Sequence, residues 1–212
     1  MCGMMGVLLS TATPKSPLVA TRQQFARLIT EVLAPAPVAA ILLVAVSLHS
    51  AASLAEGLGW AALVVLVVCA LPLSYVLRQV GRGRLTDRHV SQREQRRLPM
   101  LVALGAIVCG VALLIWLGAP RELVVLLAAM IVGAVVCLLT TLVWKMSIHT
   151  GTIAATALIL AIIFGPPLLV LEVFAALVAW ARVTLGVHTV AQVIGGGIIG
   201  AAVPAAVFVL LR

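Results

Sequence analysis

Residues 122–144 read ELVVLLAAMIVGAVVCLLTTLVW, and this stretch decides the fold class. It has no charged side chain after Glu122, and a helix that crosses a bilayer needs about 20 consecutive apolar residues. Similar stretches recur along the chain and predict an all-α, polytopic transmembrane helix bundle with about six to seven spans. The candidate runs are residues 35–55, 58–79, 98–118, 122–144, 150–166, 167–182 and 190–211.

The composition supports an integral membrane protein. Hydrophobic residues make up 64% of the 212 residues and charged residues only 9%, with a mean hydropathy of +1.27. A soluble domain would need far more polar surface. The net charge of +8 does not indicate a nucleic-acid partner, because the basic residues sit in the few loops between apolar runs. The four cysteines lack metal-ligand spacing, and we interpret those inside apolar runs as small buried hydrophobic residues.

Two regions are predicted along the chain. Residues 1–34 suggest an N-terminal tail with a possible interfacial helix, because basic and polar side chains stand beside apolar ones. Residues 35–212 are predicted to form the integral membrane domain that holds the functional site. Within it, Gly165-Pro166-Pro167 prevents a continuous helix. The flanking runs 150–166 and 167–182 are therefore short, and whether both span the membrane stays open.

Two short polar segments interrupt the apolar sequence. Lys145-Met146-Ser147-Ile148-His149 is the first, and Arg182 with His188 is the second. Ionisable groups at membrane depth are costly and usually mark a working site. Lys and Arg bind anionic oxygens, whereas His moves protons or attacks phosphorus near neutral pH. The two segments together predict a phosphate-handling site in a membrane protein.

A third polar segment, residues 86–99, is rich in arginine. A basic cytoplasmic loop that touches anionic lipid head groups is one interpretation. If the segment is helical, however, Arg93 and Arg97 share a face with Arg96 alongside, and such a cluster can clamp a phosphate. Asp87 is the only aspartate in the chain, which argues against a site built from several aspartates.

The distribution of basic residues predicts the topology. If all seven runs cross, the three polar segments and the N-terminus lie on one face. That face holds 12 of the 14 basic residues, and the other holds only Arg121 and Arg212. The positive-inside rule then places the predicted site on the cytoplasmic face. The 12 residues are Lys15, Arg22, Arg27, Arg78, Arg82, Arg84, Arg88, Arg93, Arg96, Arg97, Lys145 and Arg182.

In order, the three segments resemble the motifs of the type 2 phosphatidic acid phosphatase superfamily of membrane lipid phosphatases. The third family motif is Ser-Arg, five residues, His, three residues, Asp, and Arg182 and His188 have this spacing. The second, Pro-Ser-Gly-His, is matched in part by Ser147 and His149. The first motif, Lys followed after six residues by Arg-Pro, is similar only in character. The resemblance covers roughly residues 80–200.

The resemblance implies a role for each matching residue. His188 would be the nucleophile that forms a phosphohistidine, and His149 the general acid that protonates the leaving alcohol. Gln192 stands where the family has the aspartate that orients the nucleophile. A Gln carbonyl can accept the imidazole N–H but cannot stabilise imidazolium by charge. The residues implied to hold phosphate are Arg182, Ser147, Lys145, Arg93, Arg96, Arg97 and Arg88.

Asp87 and Glu94 are the possible acidic partners beside this site. The scheme requires no metal or other cofactor, and the expected partners are a lipid or isoprenoid phosphate and the surrounding membrane lipids. Gly196 and Gly200 form a small-residue surface that permits close helix contact within this chain or in a homodimer.

Two other functions stay open. One is a cytoplasm-facing enzyme that uses a prenyl diphosphate, such as a prenyltransferase or a terpene-forming enzyme. The other is a non-catalytic binder or transporter of lipid phosphates. The leading prediction is a membrane phosphatase or phosphotransfer enzyme that acts on a lipid or isoprenoid phosphate.

Overall fold

The protein is an all-helical bundle in a computed structural model that describes residues 17–212. The predictions for Lys15 and for the first part of the N-terminal tail concern residues outside this range. The helices are α1 (Pro17–Val32), α2 (Pro35–Ser50), α3 (Leu54–Gly81), α4 (Arg97–Trp116), α5 (Arg121–Val143), α6 (Ile148–Phe164), α7 (Glu172–Thr184) and α8 (Val190–Leu211).

The predicted fold class is confirmed. Six helical stretches are long and apolar enough to cross a membrane, and one of them, Val19–Ser50, runs through both α1 and α2. The shorter α6 is apolar too and lies in the middle of the bundle, with most of its side chains buried. On the outside, large apolar side chains such as Val143 and Leu210 are 80% and 82% exposed, as hydrocarbon surroundings require. The chain is an integral membrane protein.

Prolines and glycines determine several helix breaks and contacts. Pro35 begins α2 directly after the extended residue Ala34. Inside α3, the π-helical turn Val65–Ala70 comes just before Pro72. Pro72 has no N–H to donate to the regular α-helical hydrogen-bond pattern. Gly165 adopts a φ of 113° and ends α6, so the predicted break there is confirmed. A tight helical stretch, Pro166–Leu171, then leads into α7.

The N-terminal helix packs on the bundle. Ala26 and Ile29 of α1 are buried in a cluster with Ala175 and Val178 of α7. The predicted interfacial position of α1, and the division of the chain at residue 34, stay predictions.

The segment before α4 is not one helix. Arg93–Gln95 forms a single turn, and α4 begins at Arg97 with Pro99 in its first turn, where a missing N–H is tolerated. Asp87 holds the loop ahead of it by accepting the backbone N–H groups of His89 and Ser91. Arg93 and Arg97 therefore do not share the helix face on which the predicted clamp depended.

Candidate active site

The three polar segments meet at one end of the bundle, as predicted. Arg96, just before α4, donates from Nη1 to the carbonyl oxygen of Met146 at 3.1 Å. The backbone N–H of Ser147 donates to the carbonyl oxygen of Gln192 at 3.1 Å. These two hydrogen bonds join the loop before α4, the start of α6 and the start of α8. Arg121 and Arg212 lie together at the other end, where Arg121 bonds the carbonyl of Leu211.

Glycines bring the second and third segments into contact. A Cβ atom on Gly196 would lie 2.5 Å from the carbonyl oxygen of Ser147, and one on Gly151 would lie 2.7 Å from the carbonyl oxygen of Gly196. Only glycine permits this approach of α6 and α8. The small-residue surface is thus used within the chain, and the homodimer stays a prediction.

His188 lies in the turn between α7 and α8. Gly186 there has a φ of 67°, and the carbonyl oxygen of Arg182 accepts the N–H of Val187 at 3.2 Å. The His188 side chain is buried, and its Nδ1 lies 3.3 Å from Oε1 of Gln192. Its Nε2 is buried and has no hydrogen-bond partner among residues 17–212.

His149 lies in the first turn of α6. Ser147 caps this helix, since its Oγ accepts the N–H of Thr150 at 3.4 Å and lies 3.0 Å from the Thr150 hydroxyl. His149 is 4% exposed, and its Nε2 also lacks a partner within the described part of the chain. A helix N-terminus favours bound anions because its first N–H groups are free to donate.

Cations surround the two histidines. Arg182 is 2% exposed, and neither its Nε nor its Nη2 has a hydrogen-bond partner in residues 17–212. Arg96 is 3% exposed and uses its guanidinium to bond the carbonyls of Val90 and Met146. In the same residues, Arg96, Arg182 and Lys145 form no ion pair with a carboxylate. Buried charge without a counter-ion is unfavourable, so this cluster suits an anion.

Burial, with a smaller contribution from the cation cluster, lowers the pKa of two groups outside the spanning helices. Burial lowers the pKa of His188 from 6.5 to about 4, and the charges of Arg182, Arg96 and Lys145 act in the same direction. Burial also lowers the pKa of Lys145, again with help from Arg96 and Arg182. His188 is therefore neutral at pH 7, which is the form in which an imidazole can attack phosphorus.

Three predicted phosphate ligands do not belong to this cluster of cations without a carboxylate partner, although Arg88 and Arg93 line the cavities beside it. Arg88 forms an ion pair with Glu31, and Arg93 lies 3.8 Å from Glu94. Arg97 is exposed at the start of α4. Neither predicted acidic partner forms a hydrogen bond or ion pair with His188: Asp87 bonds its own loop, and the Glu94 side chain is 77% exposed.

The sequence did not predict a role at the site for Glu31, Thr150 or the His89 side chain. Nε2 of His89 lies 2.9 Å from Oε1 of Glu31, and the His89 ring lies 5.2 Å from the His149 ring, measured between centroids. The signal for Glu31 was its position just before Pro35, at the end of the bundle that holds the polar loops. The signal for Thr150 was its spacing of three from Ser147, which suits a helix cap.

Two cavities adjoin the site. An open recess of about 610 Å³ is lined by Lys145, Trp144, Val187 and Gln192 among others. A second cavity of about 530 Å³ has Arg88, His89, Arg96 and His149 in its polar part. The remaining lining is mainly apolar and includes Val68, Ile107 and Ile159 from inside the bundle.

Residues 144–212 match the family model of the PAP2 superfamily, the type 2 phosphatidic acid phosphatases. The match covers about a third of the chain and makes this part of it similar to that superfamily. The matched segment contains Ser147, His149, Arg182, His188 and Gln192, whereas Arg96 and His89 lie before it. No curated protein and no solved structure matches the chain. PAP2 superfamily members are generally phosphatases, and this similarity supports a hydrolase in general.

Proposed function

We propose that the chain removes phosphate from a lipid or isoprenoid phosphate through a phosphohistidine at His188. The observation that carries this proposal is that Nε2 of His149 and Nε2 of His188 are both buried without a hydrogen-bond partner in residues 17–212. The charge of Arg182 acts on both rings, and no carboxylate of these residues forms an ion pair with it. Phosphoryl transfer depends mainly on positioning and on neutralisation of charge. The cluster offers cations for the phosphoryl oxygens and two imidazoles for proton and phosphoryl transfer.

The reaction divides into two steps. Nε2 of neutral His188 attacks phosphorus while the bond between phosphorus and the alcohol oxygen breaks, and protonated His149 gives its proton to that oxygen. Water then attacks the phosphohistidine, His149 takes a proton from this water, and phosphate leaves with His188 restored. Arg182, Lys145 and the N-terminus of α6 hold the phosphoryl oxygens in both steps. Each histidine ends the cycle in its starting protonation state.

The interior cavity supports a substrate with an apolar chain. It extends along α6 from His149 to Ile159, a distance of about 15 Å at 1.5 Å per residue. Its wall is apolar beyond the polar part, so a hydrocarbon tail would be stabilised there by burial. The head group of such a molecule would lie beside His149 and Arg96.

Release of phosphate in the presence of EDTA tests this function. The purified protein in detergent would be incubated with long-chain alkyl and prenyl monophosphates and diphosphates. Metal-independent release of inorganic phosphate from wild type, abolished in His188→Ala, is the expected result. Metal-dependent release of diphosphate would instead identify a prenyl-diphosphate enzyme, and binding without any product would identify a non-catalytic lipid-phosphate binder.

A further inference from the structure

A second group of titratable side chains lies beside His149, outside the nucleophile cluster. The Glu31 carboxylate, at the end of α1, accepts from Nε2 of His89 at 2.9 Å and pairs with Arg88 through its other oxygen. The His89 ring in turn lies against His149, with 5.2 Å between centroids and 59° between ring planes. The contacts thus form a series: the Glu31 carboxylate bonds the His89 ring, and the His89 ring contacts His149, the predicted general acid.

The loop does not need the His89 side chain for its own shape. Asp87 already accepts the backbone N–H groups of His89 and Ser91, at 2.8 and 3.1 Å. Nε of Arg96 bonds the carbonyl oxygen of Val90 at 3.0 Å. These contacts hold the backbone, and they leave the imidazole of His89 free to interact with Glu31 and His149.

Burial differs strongly along the series. His149 is 4% exposed as a residue, whereas the side chains of His89 and Glu31 are 16% and 39% exposed. The other charged or titratable groups that act on His149 are Arg182, Arg96 and His188. Glu31 is the carboxylate that bonds the His89 ring, whereas Asp87 bonds the His89 backbone.

We propose that His89, held by Glu31, is a positioning residue for the general acid His149. This inference rests on the proposed function. Ring contact fixes the orientation of His149 so that its Nε2 meets the leaving oxygen, and the Glu31 carboxylate fixes His89 by charge and hydrogen bond. The family's usual carboxylate beside the nucleophile is absent here, and this chain instead places a carboxylate on the general-acid side.

Leaving-group dependence combined with a double-mutant cycle tests the proposal. His89→Gln and Glu31→Gln should each lower kcat for a long-chain alkyl phosphate about tenfold, part of the roughly 10²–10⁴ that a general acid contributes. KM should change little. For a 4-nitrophenyl monophosphate whose ring carries a similar alkyl chain, kcat should change less than about twofold, because this leaving group needs no proton. In a His149→Ala background, His89→Gln should cause no further loss.

The matched control is His49→Gln. His49 also lies near a carboxylate, with its Nε2 3.8 Å from Oε2 of Glu122, but at the other end of the bundle. Its replacement should not change kcat for either substrate. Equal losses on both substrates, or an additive loss in the His149→Ala background, would overturn the positioning role. A wild type without activity, or an active His188→Ala, would overturn the proposed function instead. If Glu31→Gln does not fold, the His89→Gln cycle decides alone.

Discussion

Oε1 of Gln192 lies 3.3 Å from Nδ1 of His188 and also accepts the backbone N–H of Thr189 at 3.1 Å. The second contact identifies this atom as the amide oxygen, because a backbone N–H needs an acceptor. Nδ1 of His188 must then carry the proton, which leaves a lone pair on Nε2. Thr189 and Gln192 also form the capping box that begins α8. One side chain thus starts a helix and selects the tautomer of the proposed nucleophile.

Gln192→Glu should keep or raise turnover. A glutamate can retain both hydrogen bonds of the capping box, and its charge stabilises an imidazolium at His188. The same charge raises the pKa of His188, so the acid limb of the pH profile should move to higher pH. Gln192→Met, which has similar length and no acceptor of comparable strength, is the control and should lose turnover. The prediction fails if glutamate lowers turnover as far as methionine does.

The pH dependence of kcat/KM should reflect the low pKa of His188. Because only the neutral imidazole attacks, kcat/KM should fall as the pH drops through about 4, well below the usual 6.5. The same lowered pKa means that stability from this group is complete above pH 6.5 and is lost as the pH falls towards 4. Lys145→Gln removes a neighbouring cation, so the acid limb should move to higher pH.

Lys145→Arg is the control for that experiment, because it keeps the charge and should leave the limb near its wild-type position. Profiles would be measured on a short-chain phosphate in detergent. An acid limb that stays unmoved in Lys145→Gln would contradict the electrostatic account of His188.

Gly196→Ala should damage both stability and activity. Its Cβ would meet the backbone of Ser147, which cannot move without displacing the first turn of α6 and His149. Overpacking of this kind costs about 1–3 kcal/mol. Gly197→Ala is the matched control one residue later, where the nearest atom would be Thr150 Cγ2 at an ordinary 3.5 Å. Thermal unfolding and turnover of the two variants would be compared, and equal behaviour would count against the close packing of α6 and α8.

The site is predicted to face the cytoplasm. Gln92 and Val187 line the open recess beside it, so a cysteine at either position in an otherwise cysteine-free chain reports its side of the membrane. Both should resist an impermeant thiol reagent in intact cells and react in inverted vesicles. Ala52→Cys, between α2 and α3, should show the opposite pattern. Labelling of Gln92→Cys in intact cells would reverse the predicted orientation.

Much of this arrangement was predictable from the sequence. Long apolar runs predict membrane helices because the bilayer requires backbone bonding within each segment. The number of crossings then places Ser147 and Arg182 at the same end without any knowledge of packing. Gly165 and Pro166 marked the break after α6 through their backbone properties.

The sequence alone did not indicate which arginine of the segment 86–99 is buried at the site. Arg93, Arg96 and Arg97 are equivalent by type, and the assumption of a helix favoured the pair at a spacing of four. In the structure, Arg96 is buried because its guanidinium bonds Val90 and Met146, whereas Arg97 points outwards. The contact of Glu31 with His89 joins residues 58 positions apart, and no local pattern encodes it.

Trapping of a phosphoenzyme by acid and base quench, with a radiolabelled lipid phosphate, tests the phosphohistidine mechanism most directly. A phosphohistidine intermediate predicts a label that is stable in alkali, labile in acid and located on His188 by peptide mapping. It should be absent in His188→Ala and should still form in His149→Ala when the leaving group is good. Turnover in His188→Ala, or label on a different residue, would contradict it.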